Sequence, residues 1–256
     1  MTHISRGVER TPRAFGKAKR SGPMCGRYTL KVNTNQVAMR FDVPATNISA
    51  AVDPRYNIAP SQMNPVITAN AGNHLELMQW GLVPAWSKEP KSNYSTINAR
   101  VETLISSPTY RKPLRRQRCL VPATGFYEWQ VIGGKAGKAA RQPFYFELAE
   151  DGSEGGIFAF AGLYDVWHGP DGRELKSYTI ITTGGNDLVL PVHERMPVIL
   201  TREAEQRWLD PDLSDPDELL KLLQPYPPAL MLGYPVSPAV NSPANDGQDC
   251  IAPLAG

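Results

Sequence analysis

Alternating apolar and polar positions dominate most of the chain and predict a β-rich fold. The run HLELMQWGL (74–82) shows the pattern most clearly, since an apolar residue at every second position gives a strand one buried face. The segment RCLVPATGFYEWQVI (118–132) predicts two short strands around a turn at 123–125. Further strands are predicted at 25–32, 64–68, 143–149, 156–167, 176–183 and 231–240.

Helical periodicity is limited to four short segments. Thr34 is the predicted N-cap of a helix within 33–43, and INARVETL (97–104) is interpreted as the start of another. Two more helices are predicted near the C-terminus, at 202–209 and 215–223. Strands outnumber helices and do not alternate regularly with them. The predicted class is therefore α+β: a single domain with a β-rich mixed sheet or barrel and a few flanking helices.

The composition indicates one globular domain. A chain of 256 residues with 41% hydrophobic residues can bury one sizeable core. Its 24 prolines and 21 glycines are scattered, which fits short strands joined by turns, such as a predicted loop at 53–62 and a hairpin tip at 133–140. No apolar run reaches the roughly 18–20 residues of a membrane span, so we expect no membrane partner. We expect a domain at 24–252 and a short tail at 253–256.

Positive charge is concentrated in the first 23 residues. They hold six Lys or Arg residues and one acid, Glu9; without these, the totals of 27 and 25 fall to 21 basic and 24 acidic residues, a net charge of −3. The basic balance therefore belongs to residues 1–23 and not to the expected domain. This segment has neither the apolar stretch of a secretory signal nor a domain-like pattern, so we expect a leader that is non-native or removable.

Several enzyme classes and metal sites lack support in the sequence. The three cysteines, Cys25, Cys119 and Cys250, form no C-x-x-C pair, and the four histidines are widely spaced. This pattern argues against a disulfide framework and favours a reducing compartment, with Cys119 and Cys250 as small core residues. The chain also lacks G-x-S-x-G, H-E-x-x-H, Walker and G-x-G-x-x-G motifs. We expect neither a metal nor a cofactor.

Polar residues in apolar or proline-rich surroundings are the candidates for chemistry. Glu128 stands among aromatic residues in GFYEW, where burial would raise its pKa and suit proton transfer near neutral pH. Asn98 and Arg100 share the segment INARVET, and His193 and Arg195 share PVHERMPVIL. These three segments would have to meet in the fold to form one site.

Each candidate also has a structural alternative. Asn98 could cap a helix, Glu128 could be a solvated residue or the partner of an arginine, and His193 could be a structural histidine. The basic stretch YRKPLRRQR (110–118) is predicted to be a solvated surface, with nucleic-acid contact as the alternative.

Eight segments, taken together and in order, resemble one protein family. They are MCGRYTL, RYNIAPSQ, WGLVPAW, INARVET, RCLVPATGFYEW, AGLYDVW, TTGGNDLVLPVHERMPVIL and PVSPAVNSPANDGQDCI. From Met24 to about Ile251 the chain is similar to the SRAP domain family (SOS response-associated peptidase, the abasic-site processing proteins). The resemblance implies a covalent cross-link to abasic sites in single-stranded DNA, formed by the cysteine that follows the initiator methionine.

The resemblance also implies roles for individual residues. Cys25 would be the nucleophile, Glu128 the carboxylate that shuttles protons, and His193 the histidine that assists opening of the sugar ring. Asn98 would position the abasic sugar beside the nucleophile. Contacts to DNA would come from three arginines at phosphates and one tryptophan against a base: Arg27, Arg100, Arg195 and Trp86.

Single-stranded DNA containing abasic sites is the partner that the resemblance implies. We expect a cytoplasmic monomer of bacterial type that associates with the nucleoid at damage. Two other function classes stay open: a cysteine-dependent peptidase, whose expected substrate is its own leader, and a non-covalent single-stranded nucleic-acid binding module. The Schiff base chemistry would also permit minor β-lyase activity.

The position of Cys25 conflicts with this chemistry, because its nitrogen is part of a peptide bond in the full chain. Translation from Met24 followed by methionine removal would expose the amine, and so would cleavage of the leader; otherwise this chain is inactive. We favour a start at Met24, because residues 1–23 lack any domain-like pattern.

Overall fold

Short β-strands make up most of the secondary structure in the computed structural model, which describes residues 26–91, 96–133, 140–149 and 156–254. The α-helices are α1 (Thr34–Arg40), α2 (Arg111–Arg116), α3 (Arg202–Leu209) and α4 (Pro216–Lys221). The strands are β1 (Tyr28–Leu30), β2 (Arg55–Ile58), β3 (Met63–Ala69), β4 (Asn73–Trp80), β5 (Asn98–Arg100), β6 (Arg118–Ala123), β7 (Gly125–Gly133), β8 (Ala140–Leu148), β9 (Phe158–His168), β10 (Glu174–Gly184), β11 (Arg195–Pro197), β12 (Ile199–Leu200) and β13 (Met231–Pro235).

Five of these strands close into a barrel at the centre of the molecule. Their order is β3, β4, β10, β9 and β6, and β6 pairs with β3 again to complete the ring. The sheet is mixed, because β4 and β10 run parallel while the other four pairs are antiparallel. The short strand β5 adds to β10 in parallel, and β11 adds in antiparallel. The predicted α+β class with a mixed barrel is confirmed.

A second, antiparallel sheet packs against the barrel through aromatic side chains. Its order is β13, β8, β7, β1 and β2. Phe126 of this sheet meets Phe160 of the barrel at 6.1 Å between ring centroids, and Tyr28 meets Trp80 at 5.2 Å. These rings are buried, so the two sheets share one hydrophobic core. The single predicted domain follows from this shared core.

Most predicted strands are present, but the strand predicted at 231–240 ends at Pro235 and is followed by a 3-10 helix at Pro238–Asn241. The segment 53–62 contains β2 in addition to a loop, and INARVETL begins with β5 followed by a 3-10 helix (Val101–Thr103), not an α-helix. The N-cap of α1 is Asn33, one residue before the predicted Thr34. The predicted hairpin tip falls largely at 134–139, outside the described residues.

The two strands predicted at 118–132 exist but do not form a hairpin. β6 pairs with β3 and β9 in the barrel, whereas β7 pairs with β1 and β8 in the second sheet. Thr124, between them, donates its backbone N–H to the Thr29 carbonyl at 2.8 Å, which holds the crossing in place. The chain therefore changes sheets just before the segment GFYEW.

The C-terminal segment is clamped onto the second sheet by buried polar groups. Asn57 is fully buried and its amide donates to the carbonyls of Val240, Ser242 and Asn245 at 2.7–3.0 Å. The Asp246 carboxylate accepts the backbone N–H of Asn57 at 2.7 Å in return.

Among the described helices, none has the length and apolar character that a membrane crossing requires.

Candidate active site

Glu128 and His193 form the buried centre of the candidate site. Glu128 lies on β7 at an inward-facing position and its residue is 1% exposed, so the alternative of a solvated residue is excluded. Its Oε2 lies 4.0 Å from Nδ1 of His193, whose side chain is 9% exposed. His193 lies in the segment between β10 and β11. Gly185, at the start of that segment, allows it to fold tightly, because a Cβ there would lie 2.9 Å from the His193 carbonyl oxygen.

The imidazole of His193 is held by the backbone of Arg195 and is largely removed from water. Nδ1 lies 3.1 Å from the backbone nitrogen of Arg195, which can donate to it, and 3.2 Å from the Arg195 carbonyl oxygen, to which it can donate, so either neutral tautomer has a hydrogen bond at Nδ1. Nε2 is buried and has no hydrogen-bond partner among the described residues. Burial lowers the pKa of His193, and the positive charges of Arg141 and Arg195 act in the same direction. The ring is therefore neutral at pH 7.

The strand β10 brings the segments INARVET and PVHERMPVIL to the same place. Asn98 and Arg100 of β5 align with Ile180 and Thr182 of β10, and Arg195 of β11 aligns with Gly184. Asn98 begins a strand, so the alternative of a helix cap does not hold. Arg100 is exposed, while Asn98 is partly buried.

Arg195 is not free in this structure. Its two terminal nitrogens donate to the two carboxylate oxygens of Glu102, at 2.5 Å and 3.0 Å, and Nη2 also donates to the Thr182 carbonyl at 2.7 Å. Glu102 belongs to the segment INARVET but was not predicted to pair with Arg195. Only the packing of both segments against β10 shows this contact.

Arg27 and Trp86 differ in their surroundings. The guanidinium of Arg27 donates to Asn57 Oδ1 at 2.9 Å and to the carbonyls of Val240 and Asn241 at 2.7 Å and 3.1 Å. The side chain thus ties β1 to the C-terminal segment. Trp86 is 69% exposed in the loop after β4, as a surface that stacks on a base would require.

Two of the three cysteines, and all of the basic stretch 110–118, lie in the described part of the chain. Cys25 lies outside the described residues, whereas Cys119 and Cys250 are buried free thiols, as core residues would be. The expectation of a solvated surface at 110–118 is wrong for Arg118, which is buried and donates to the carbonyls of Trp208 and Asp210. The other four cations of that stretch are exposed: Arg111, Lys112, Arg115 and Arg116.

Sequence reasoning did not identify Arg141 as part of the site. This residue lies on β8, opposite Val131 of β7, and its charge lowers the pKa of His193. The alternation of apolar and polar residues in β8 indicates which face of the strand is buried. No local signal relates Arg141, which is exposed on this strand, to a histidine far away in the sequence. In the described part of the chain, no cluster of His, Cys, Asp or Glu could hold a metal ion.

Comparison with known proteins identifies relatives over nearly the whole of the expected domain. The family model "SOS response associated peptidase (SRAP)" matches residues 24–243. The abasic site processing protein YoqW of Bacillus subtilis is 43% identical over 229 residues, which cover 89% of this chain and 99% of that protein. The abasic site processing protein HMCES of Gallus gallus is 36% identical, over 78% of this chain and 66% of its own length.

A solved structure supports the same relationship at the level of the fold. A crystal structure of a protein from Bacteroides thetaiotaomicron has a TM-score of 0.74 and 27% sequence identity. The match covers 90% of this chain and 100% of the other. The family match, the identity to relatives and this shared fold agree, and the chain belongs to the SOS response associated peptidase (SRAP) family.

Proposed function

We propose that this protein processes abasic sites in single-stranded DNA by forming a covalent cross-link through Cys25 once that residue is N-terminal. The names of its relatives, abasic site processing proteins, support the substrate. In this proposal the active domain begins after Met24, and residues 1–23 are not part of it. The protein acts as a monomer in the cytoplasm, at damaged DNA.

The observation that carries the proposal is the register of β1 on β7. Tyr28 pairs with Phe126, and the backbone N–H of Tyr127 donates to the Arg27 carbonyl at 3.1 Å. Because the strands are antiparallel, continuing this register by two residues beyond β1 would set Gly26 opposite Glu128. Cys25 is bonded to Gly26, and consecutive Cα atoms are about 3.8 Å apart. This direction of the chain supports a reactive terminus beside the buried Glu128–His193 pair.

The chemistry requires both the amine and the thiol of one residue. An α-amine, with a pKa of about 7.7–8.0, is partly unprotonated at neutral pH and can attack the aldehyde of the ring-opened abasic sugar. Loss of water gives a Schiff base, in which a C=N bond replaces C=O. The thiol then adds to the imine carbon, its proton passes to the nitrogen, and a five-membered thiazolidine results. Only an N-terminal cysteine supplies both groups at this spacing.

Glu128 and His193 carry the proton transfers of this sequence. The attacking amine loses a proton and the departing hydroxyl gains one, which a single carboxyl can accomplish by accepting and then donating. In the tautomer with hydrogen on Nε2, the nitrogen that has no partner among the described residues, neutral His193 would donate to the ring oxygen as the sugar opens. Both side chains are largely removed from bulk water, with 1% of Glu128 and 9% of His193 exposed, so the site and not the solvent would govern these transfers.

The flanking residues would hold the DNA. Exposed Arg100 and, after release from Glu102, Arg195 would bind phosphates with their guanidinium forks, while Asn98 would position the sugar. Trp86 would stack on a base. Arg27 has a second role open to it, because its contacts with Asn57 and the C-terminal segment anchor the strand that leads to Cys25. Its direct contact with a phosphate remains part of the proposal.

Two other activities are compatible with the same groups. A peptidase that removes its own leader would use Cys25 and the Glu128–His193 pair, and the family description names a peptidase. Minor β-lyase activity would follow from the Schiff base if it loses the 3′-phosphate before the thiol closes the ring. A binding module without a covalent step is the third possibility.

One experiment separates these functions. Protein that begins at Cys25 is incubated with single-stranded DNA containing one abasic site, and adducts are measured on a denaturing gel after heating. We expect a heat-stable adduct with the wild type and none with Cys25→Ala. An adduct that survives Cys25→Ala would refute the thiazolidine mechanism, and binding without any adduct would favour the binding module.

The matched control is the full chain, in which Cys25 has no free amine. If it also forms an adduct, intact mass spectrometry shows whether the leader has been removed. Active material that retains residues 1–24 would contradict the proposed mechanism. Release of the leader by wild type but not by Cys25→Ala would support self-processing.

A further inference from the structure

The guanidinium fork of Arg195, meaning its two terminal N–H groups that would bind a phosphate, is occupied by a carboxylate of the protein itself. Both terminal nitrogens of Arg195 donate to Glu102, one to each carboxylate oxygen. The Arg195 side chain is 12% exposed and the Glu102 side chain is 55% exposed. The carboxylate is therefore on the solvent side of a guanidinium that is otherwise enclosed.

The charge of the second arginine, Arg100, also acts on Glu102. It lies in the 3-10 helix Val101–Thr103, directly after Arg100. Its hydrogen bond with Arg195 is the main cause that lowers its pKa, and the charges of Arg195 and Arg100 act in the same direction. Glu102 thus stays ionised at neutral pH, beside both arginines that would contact phosphates.

A carboxylate and a phosphate bind to the same edge of a guanidinium, through its N–H groups. Each offers two oxygens to two parallel N–H groups, so both cannot occupy one fork at the same time. The Glu102 side chain is more than half exposed, so water can solvate its carboxylate when a phosphate takes its place. When Glu102 leaves, the Thr182 carbonyl still holds Nη2 at 2.7 Å and keeps the guanidinium in place.

We propose that Glu102 sets the affinity of this site for the DNA backbone by occupying the Arg195 fork until a phosphate replaces it. The inference rests on the proposed function, because it takes Arg195 to be a phosphate contact. Each non-covalent encounter must displace the carboxylate, so undamaged single-stranded DNA is held weakly and released. Abasic DNA is retained by the covalent bond, which does not depend on this affinity.

The test compares Glu102→Gln with wild type for binding to an undamaged single-stranded oligonucleotide, by fluorescence anisotropy at fixed salt. Glutamine keeps the size of the side chain and removes its charge. We expect binding tighter by roughly threefold to fivefold, which is the range that an exposed ion pair allows. Glu218→Gln is the matched control, since it removes one exposed, ion-paired carboxylate on α4 and should leave binding unchanged.

A second background tests whether the effect passes through Arg195. In Arg195→Gln protein, adding Glu102→Gln should change the affinity by less than half the factor seen in wild type. An equal gain in both backgrounds would show general charge repulsion and overturn the proposal. So would unchanged or weaker binding by Glu102→Gln alone.

Cross-linking in the presence of excess undamaged DNA gives a further readout. Glu102→Gln should be inhibited at a lower competitor concentration than wild type, because undamaged DNA holds it longer. Equal inhibition of the two proteins would overturn the role in discrimination. If wild type forms no adduct with abasic DNA, the proposed function falls together with this inference; if it forms the adduct and Glu102→Gln binds undamaged DNA no tighter, only this inference falls.

Discussion

Removal from water determines what Glu128 and His193 can do. Burial penalises the charged form of the imidazole, and the positive charges of Arg141 and Arg195 act in the same direction, so the ring is neutral at pH 7. A histidine on the protein surface would be partly protonated near its usual pKa of about 6.5. The enclosure of His193 thus keeps an imidazole neutral beside a carboxylate, 4.0 Å from Glu128 Oε2.

The lowered pKa of His193 predicts a pH dependence of stability. Below its usual pKa of about 6.5 the unfolded chain takes up a proton that the folded site resists, so stability is lost as the pH falls from there towards the lower folded pKa. Thermal unfolding of wild type and His193→Gln between pH 7.5 and 5 measures this. We expect Tm to fall more steeply in wild type; parallel curves would show that His193 titrates normally.

Residue type alone did not reveal the hydrogen-bond acceptors of the arginines. Arg27, Arg118 and Arg195 were all assigned to solvent or DNA, yet in this structure each guanidinium donates to acceptors of the protein. An arginine side chain is long and its donors reach groups far away in sequence. For Arg27 the acceptors on the C-terminal segment lie more than 200 positions away. No local pattern carries that information.

Among the elements, β10 does most to assemble the site. It borders β9 and β11 on one side and β4 and β5 on the other, so segments from four parts of the chain meet along it. Its neighbour β9 approaches closely at Gly162. A Cβ at this glycine would lie 2.8 Å from Cys119 Sγ, 2.9 Å from Val121 Cγ2 and 3.3 Å from the Thr179 carbonyl.

Gly162→Ala should therefore destabilise the barrel. A methyl group in this space forces β6 or β10 to shift, and overpacking of this kind costs about 1–3 kcal/mol. For a chain of this size, that corresponds to a fall in Tm of several degrees. Gly184→Ala is the matched control, because a Cβ there meets nothing within 4 Å, and its Tm should stay close to that of wild type. Equal losses for both variants would contradict the packing argument.

The charge of the whole molecule requires the DNA-binding cations to be local. Without residues 1–23 the chain has a net charge of −3, so non-specific attraction to a polyanion is not expected from the total. Arg100 is exposed on β5 level with Thr182, and Arg195 of β11 lies on the other side of β10, level with Gly184. A few phosphate contacts at defined positions, rather than a general basic surface, would then carry the binding.

Arg100→Ala should weaken binding to single-stranded DNA and flatten its dependence on salt. Loss of one phosphate contact reduces the slope of log K against log salt by about 0.7. The measurement is a titration at several salt concentrations. Arg173→Ala is the control for net charge, because Arg173 is exposed at the turn before β10, roughly 30 Å along that strand from Gly184. A slope change of the same size in both variants would remove Arg100 from the binding site.

Much of this molecule follows from the sequence by itself. Alternation in segments such as HLELMQWGL predicted strands that exist, and the lack of regular strand–helix alternation predicted the α+β class. These predictions succeed because side-chain direction in a strand is a local property. The candidate residues could also be selected from their motifs, and the family relationship was evident from eight segments in order.

Only the tertiary structure decided how those residues meet. It sent β6 and β7 to different sheets, brought His193 within 4.0 Å of Glu128, and set Glu102 in the fork of Arg195. Such contacts depend on strand order and register, which are set by the packing of the whole core and not by any one segment. The sequence alone thus determined the strands, the fold class and the chemical groups of this protein, while the closed barrel and its partner sheet determined their pairing.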